Sequence, residues 1–461
     1  MEAFVKAIES ILPNERFLRS HQLQDRYSHI WKMDEPLAAA GMAFPISTEE
    51  ISKLCKVCFQ HNQPMVVFGG LTNLVGSTET NGSEFIISME KMNQILELDE
   101  ESRTVHVEAG AILEHVQIEV EKSNLMLAMN FGAKGSAQIG GMISTNAGGL
   151  RVLKYGMTRN LVKGLEAVLA DGTIIRSLKK ITKDNSGYDI KQMFIGSEGT
   201  LGIVTSAILS LEELPQSRNT AFVGFNKFSK VISFLKYIDQ KLSGSLSGFE
   251  VIWKDTYECI TSEGSIWQPV LPYGYEYYIL VESLGSDHEL EFKKLESALS
   301  EAMETDMILD GALANSSSDL QWFWGIREDV SLLNAACTFD QHFDISAPIS
   351  EMETYTKSVY QQLYEVDGVE QVFTFGHLAD GNIHFIVGKE NESDSLRLAI
   401  NKIVYGPLKE IEGSVSAEHG IGLHKKDYLH LCRNENEIGL MRTLKKSLDP
   451  KGLLNPGKVL F

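Results

Sequence analysis

No run in this chain is long and apolar enough to cross a bilayer. The longest mainly apolar stretches, such as GLEAVLADGTII at 164–175, are shorter and more polar than the ~20 apolar residues a spanning helix needs. Basic runs are missing too: 62 acidic residues outnumber 42 basic ones, for a formal charge of −20. A surface of that sign repels phosphate backbones, so no nucleic-acid partner is expected. The opening MEAFVKAIESILPNE lacks the basic start and small-residue cleavage site of a signal peptide and reads as an amphipathic helix stopped at Pro13. A cytoplasmic location is therefore expected. Cysteine is sparse, at 55, 58, 259, 337 and 432. An odd number without framework spacing predicts reduced thiols. Cys55 and Cys58 form a C-x-x-C, but no second pair completes a zinc site. Ser47 to Glu50 reads as a capping box, and Ile51, Leu54, Cys55 and Cys58 then share one apolar helix face, which predicts core packing.

The 43% hydrophobic and 23% charged fractions are those of a folded globular protein, and 461 residues suggest two to four domains. No internal repeat or low-complexity segment is visible. From 64 to 212 short strands alternate with glycine turns, for example PMVVF, FIISM, ILELD, TVHVE and a hairpin through Asp171-Gly172. After Pro215 strands alternate with long amphipathic segments such as 287–303 and 349–365, the texture of a separate α+β domain. Glycines return after about 412. The expected division is 1–214, 215–411 and 412–461.

Three glycine-rich segments stand out. GGLTNLVGS (69–77) follows a strand directly, and its glycines let main-chain N–H groups approach a ligand such as a phosphate. FGAKGSAQIGGMISTNAGGLRVLKYG (131–156) has glycine at 132, 135, 140, 141, 148, 149 and 156, among small polar residues. So much bare backbone suits a long ligand hydrogen-bonded through main chain. FIGSEGTLGIVT (194–205) repeats the logic. None is G-x-G-x-x-G inside a βαβ unit, which disfavours a dinucleotide-binding Rossmann domain.

In TFGHLADGNIHFIV, His377 and His384 flank the turn signal Asp380-Gly381, which can bring the two imidazoles together. Glu418, in SAEHGIGLH, can add a carboxylate. Two histidines and a carboxylate form a three-ligand set for a divalent metal with a position open to substrate. The alternative is that each histidine only satisfies hydrogen bonds in a hairpin. His419 titrates near neutrality and can take a proton.

The ordered set PMVVFGGLTNLVGS, GAKGSAQIGGMISTNAGGLRVLKYG, KDNSGYDIKQMFIGSEGTLGIVT, GHLADGNIHF and SVSAEHGIGLHKK resembles the FAD-linked D-2-hydroxy acid dehydrogenases of the vanillyl-alcohol-oxidase type, the group of D-2-hydroxyglutarate and D-lactate dehydrogenases. The resemblance runs from about residue 40 to 461. It implies an α+β, two-domain flavoprotein with a discontinuous FAD-binding domain and an α+β cap domain that carries the substrate site. It implies pyrophosphate contacts from Gly69, Gly70, Leu71, Thr72, Asn73, Gly76 and Ser77. Gly135, Ser136, Gly140, Gly141, Thr145, Asn146 and Gly148 match positions lining the flavin, as do Gly199, Ile203, Val204 and Asn455. Loop 69–77 has neither histidine nor cysteine, so non-covalent FAD is expected.

The same resemblance assigns a divalent metal, zinc or manganese, to His377, His384 and Glu418, and the base to His419. A metal on the hydroxyl oxygen of a 2-hydroxy acid lowers its pKa while His419 takes the proton and hydride passes to flavin N5. Arg327, in WFWGIREDVS, matches the cation for the substrate carboxylate, a role suited to its fork geometry. Ser331 is expected one helical turn further on. The resemblance also implies an external electron acceptor and admits a homodimer.

Two positions depart from the 2-hydroxyglutarate enzymes. His342 stands where they have lysine, and Ile386 where they have asparagine. Both changes favour a substrate with a smaller or less charged distal end, such as D-lactate, 2-hydroxybutyrate or a longer aliphatic acid. D-2-hydroxyglutarate itself, an oxygen-using oxidase, a non-catalytic flavin subunit and a plain zinc hydrolase are the alternatives.

Overall fold

A computed structural model describes residues 2–461. The chain divides into two compact units. The first is discontinuous, made of the residues up to Gly149, Tyr155–Leu214 and Glu418–Phe461; the second comprises Leu150–Lys154 and Pro215–Ala417. The chain re-enters the first unit six residues later than the glycine pattern suggests. Ser414 explains the difference, because it exchanges main-chain hydrogen bonds of 2.8 and 3.0 Å with Ser346 of the second unit. The short segment 150–154 is drawn to the second unit by Arg151, paired with Glu282 at 3.3 Å, and by Lys154, which donates to the carbonyl of Leu284.

Two main sheets form the first unit. One orders Phe17–Arg19, Gly41–Ala43, Phe85–Ser88 and Met65–Phe68, the last three parallel. The other is antiparallel and orders Ile95–Asp99, Thr104–Glu108, Ile203–Ser210, Val162–Val168 and Ile174–Ser177. One apolar core cluster runs beneath both, including Met65, Phe85, Val105, Val107, Leu165 and Ile203, and a smaller one with Met42, Val66, Phe68 and Ile86 packs on the first sheet. Fully burying one such side chain contributes roughly 1.5–3 kcal/mol. Helix Thr48–His61 packs Ile51, Leu54, Cys55 and Cys58 into that core. Burial pushes both thiols up from their ordinary pKa, so neither is a reactive thiolate.

One seven-stranded antiparallel sheet organises the second unit, in the order Asp310–Leu313, Ser217–Phe225, Tyr277–Gly285, Leu246–Trp253, Val369–His377, Asn382–Lys389 and Phe339–Ser346. Helices cover both faces, so its central strands are buried throughout instead of alternating. On one face Phe249 and Phe225 meet Phe234 of helix Phe228–Leu242. On the other, Ile252, Phe373, Phe375 and Ile386 pack with Phe323, Trp324 and Ile326 of helix Ser317–Glu328. That second face carries the polar residues of interest.

Candidate active site

The cofactor segments converge within the first unit. After strand Met65–Phe68 the chain turns into loop 69–77, with Leu71 at φ 57° and Gly76 at φ 72°. Only glycine fits at 70: a Cβ there would lie 2.1 Å from the carbonyl oxygen of Ser136. Loop 69–77 thus rests directly on the 135–137 backbone. Helix Ile139–Thr145 follows, and a Cβ at Gly140 would lie 2.7 Å from that of Ala109. Nothing stands within 4 Å of where a Cβ would be at Gly141. Gln138 Oε1, next to Gly69, is buried and has no hydrogen-bond partner among the described residues. A bare backbone cradle with an unanswered buried acceptor fits a large ligand carrying N–H and O–H groups.

Several predicted cofactor residues use their side chains internally. Asn73 donates to Thr78 at 2.6 Å and accepts from the N–H of Ser77 at 2.9 Å. Thr145 donates to the carbonyl of Gly141. Asn146, left-handed at φ 51°, accepts from the N–H of Arg159. Asn455 accepts from the N–H of Val67 and donates to the carbonyl of Glu198. Gly135 and Ser136 are exposed, whereas Ile203 and Val204 are buried just before a register shift in their strand. Leu71 and Thr72 are half-buried. Main chain is therefore what several of these positions leave for a ligand, as so glycine-rich a stretch suggests.

The turn after Glu418 is stitched to the same loops. Glu418 and His419 are half-buried. A Cβ at Gly148 would lie 2.7 Å from Glu418 Oε1, so the bare backbone there admits the carboxylate. Leu423 and His424 donate to the carbonyl of Val75. Glu198, which the motif reading left unassigned, accepts from the N–H groups of Ile421 and Gly422. Burial raises its pKa against the pull of those bonds and of Ser77. The available signal was a non-glycine residue between two glycine turns in GSEGTLG, an unusual place for a buried carboxylate; Glu198 adopts φ 51°.

On the polar face of the second unit, the Asp380-Gly381 turn sets His377 and His384 side by side, with ring centroids 5.5 Å apart and planes 83° apart. Gly381 has φ 85°, which the turn requires. Glu250 lies directly across the sheet from His377 and accepts from its Nδ1 at 2.8 Å. Its other oxygen accepts from Arg327 Nε at 2.7 Å. Burial works to raise the pKa of Glu250, but His377 and Arg327 outweigh it and hold the carboxyl below its ordinary value. A carboxylate only accepts, so Nδ1 of His377 is the donor and Nε2 is the other ring nitrogen. Asp344 stands opposite His384 at 4.0 Å and also accepts from Asn382 and Ser416. The Arg327 guanidinium lies 4.8 Å over the ring of Phe375. Glu250 was missed in the sequence, because only strand register brings it beside His377.

Arg327 is buried and pairs with Glu250 rather than with its chain neighbours Glu328 or Asp329. Ser331 is not one helical turn further on: the helix ends at Glu328, Asp329 breaks it, and a new helix starts at Val330. The exposed Ser331 hydroxyl bonds to Asp329. His342, opposite Ile386, is partly exposed and lies 3.5 Å from Asp340. Ile386 belongs to the buried apolar cluster.

Two families match the chain: FAD linked oxidases, C-terminal domain, over residues 214–459, and FAD binding domain, over residues 39–177. The chain belongs to the FAD-linked oxidases. FAD is the cofactor of this family member, and the protein is an oxidoreductase. It is 34% identical to the mitochondrial D-2-hydroxyglutarate dehydrogenase of Rattus norvegicus over 459 residues, 100% of this chain and 85% of the relative. It is 34% identical to the enzyme of that name from Danio rerio, over 90% of this chain and 77% of the relative. With the D-2-hydroxyglutarate–pyruvate transhydrogenase of Saccharomyces cerevisiae it shares 30% identity, over 98% and 93% of the two chains. Its fold is that of p-cresol methylhydroxylase, with a TM-score of 0.74 at 14% identity, covering 99% and 96%. The FAD-linked oxidases also correct one expectation. The Rattus and Danio relatives are named mitochondrial, which overturns the cytoplasmic location read from the first residues. The charge pattern of one terminal helix is too local a property to decide a compartment.

Proposed function

We propose that this chain is an FAD-dependent dehydrogenase converting D-2-hydroxy acids to 2-oxo acids. The observation that carries the reading is Glu250, buried between Arg327 and His377. It links the cation suited to a substrate carboxylate with a ring whose Nε2 suits a metal. Arg327 has terminal amino groups beyond the Nε that Glu250 takes, and these bind the 1-carboxylate. His377, His384 and Glu418 bind a divalent cation, zinc or manganese. Chain continuity supports Glu418 in this role. Ser416 is tied to Asp344 beside His384, and the Cα of Glu418 lies no more than about 7.6 Å further along. The cation, when bound, lowers the pKa of the 2-hydroxyl. His419 takes the hydroxyl proton on its imidazole nitrogen. FAD, held without a covalent link, supplies the hydride acceptor, and an external acceptor reoxidises it.

The substrate's distal end is aliphatic, as in D-lactate or 2-hydroxybutyrate. Ile386 sits among Phe373 and Phe375, and His342 opposite it is an imidazole beside Asp340, not a permanent cation. D-2-hydroxyglutarate is the second reading, favoured by the names of the Rattus and Danio relatives. Anaerobic flavin bleaching across D- and L-2-hydroxy acids tests both. Bleaching is expected with D-acids only, fastest with aliphatic tails, lost with chelator and restored by metal. A 2-hydroxyglutarate rate far above the others selects the second reading, and no bleaching by any acid sinks both. Stoichiometric hydrogen peroxide in air would instead indicate an oxidase.

A further inference from the structure

One carboxylate joins segments of the first unit that are far apart in sequence. Oε1 of Glu198 accepts from the N–H of Ile421 at 2.7 Å; Oε2 accepts from the N–H of Gly422 at 2.9 Å and from the Ser77 hydroxyl at 3.0 Å. The main chain of Glu198 is also fixed at both ends. Its N–H donates to the carbonyl of Ser144 at 2.7 Å, and its carbonyl accepts from Asn455 Nδ2 at 2.6 Å. Glu198 is 6% exposed. At Gly420, with φ 87°, a Cβ would lie 2.9 Å from the Glu198 carboxylate carbon. The backbone just after Glu418 and His419 is therefore pressed against this side chain.

We infer that Glu198 is a positioning residue for the turn that carries Glu418 and His419, acting through the main-chain amides of Ile421 and Gly422. This rests on the roles proposed above for those two residues. Three donors converge on one side chain, and a carboxylate answers all three because both its oxygens accept. The isosteric amide cannot. Its single oxygen accepts while its NH2 group faces a donor, so one clamp is lost with shape conserved. A turn released by about an ångström misplaces the base and the metal carboxylate, a displacement that can cost ~10²-fold in rate. The same carboxylate touches the loop through Ser77, so the turn and the cofactor loop are set against one anchor.

The test compares wild type with Glu198→Gln and Gly420→Ala, the latter pushing the turn off the carboxylate by its methyl group. Flavin content, bound divalent metal and the anaerobic bleaching rate per flavin are measured for each. The expected result is near-full flavin content, metal content reduced severalfold after dialysis, and a bleaching rate per flavin lowered ~10²-fold, chiefly in kcat. Wild-type metal content and rate per flavin in either flavin-loaded variant overturn the inference. Loss of flavin from both variants also overturns it, because Glu198 would then serve cofactor retention. Failure of wild type itself to bleach with any 2-hydroxy acid strikes the proposed function instead, while the metal content still reads the role of Glu198.

Discussion

At the scale of single residues, histidine appears here in two chemically distinct settings. His377 has Nδ1 fixed by Glu250, and a metal-ligand role is proposed for its ring. His419 lies in a glycine-bounded turn of the first unit, where a proton acceptor is proposed. Replacing His419 by Asn should lower the rate of flavin reduction by about 10²–10⁴-fold, the usual worth of a general base, with flavin and metal content unchanged. Stopped-flow absorbance under argon measures it, and a variant reducing its flavin at the wild-type rate would remove His419 from the mechanism. Both histidines were legible as candidates, since each stands beside a turn signal in the sequence. Their partners were not. Glu250 is 127 positions from His377, and nothing in GFEVIW marks it as functional.

At the scale of elements, local signals set starts and tertiary contacts adjusted them. Ser47 caps helix Thr48–His61 by accepting from the N–H of Glu50, as the sequence indicates. The reciprocal half of the capping box is replaced, because Glu50 accepts from the N–H of Ile46 and pairs with Arg16 at 2.5 and 2.9 Å. Burial works to raise the pKa of Glu50, and the hydrogen bonds from Arg16 and Ile46 bring it below the ordinary value. A lowered folded pKa means the contribution is present above the unfolded carboxyl pKa of ~4.3 and is lost as pH falls through the folded value. Glu50→Gln should therefore cost about 1 kcal/mol at pH 7 and show a shallower loss of stability on acidification. Urea titrations at pH 7 and pH 3 check this; a stability difference that grows toward pH 3 would contradict it. The break at Asp329, which displaces Ser331 from the face of Arg327, shows the limit of extrapolating a helix by spacing alone.

At the scale of the molecule, the first unit is closed by distant pieces of chain. Met65 bridges to Leu454, Val75 accepts from residues 423 and 424, and Glu198 holds residues 421 and 422. A ligand bound along these segments stabilises them all by mass action. Removing FAD should lower the melting temperature, and restoring it at 100 times its Kd should return about 2.7 kcal/mol. Calorimetry across a series of FAD concentrations reads the effect, and a melting temperature independent of FAD would show that the cradle is not the binding site.

Short-range chemistry was already decided along the chain: where glycine strips the backbone, where Asp-Gly turns, which cysteines pack in a core and which ordered motifs resemble FAD-linked dehydrogenases. Those properties depend on residues within a few positions of one another, so they survive in one dimension. Strand register and chain closure do not. A slip of one residue in Leu246–Trp253 would turn Glu250 away from His377, and only the folded return after Ala417 brings Ile421 and Gly422 onto Glu198. Which carboxylate meets which donor is a matter of three-dimensional proximity, and no local pattern encodes it.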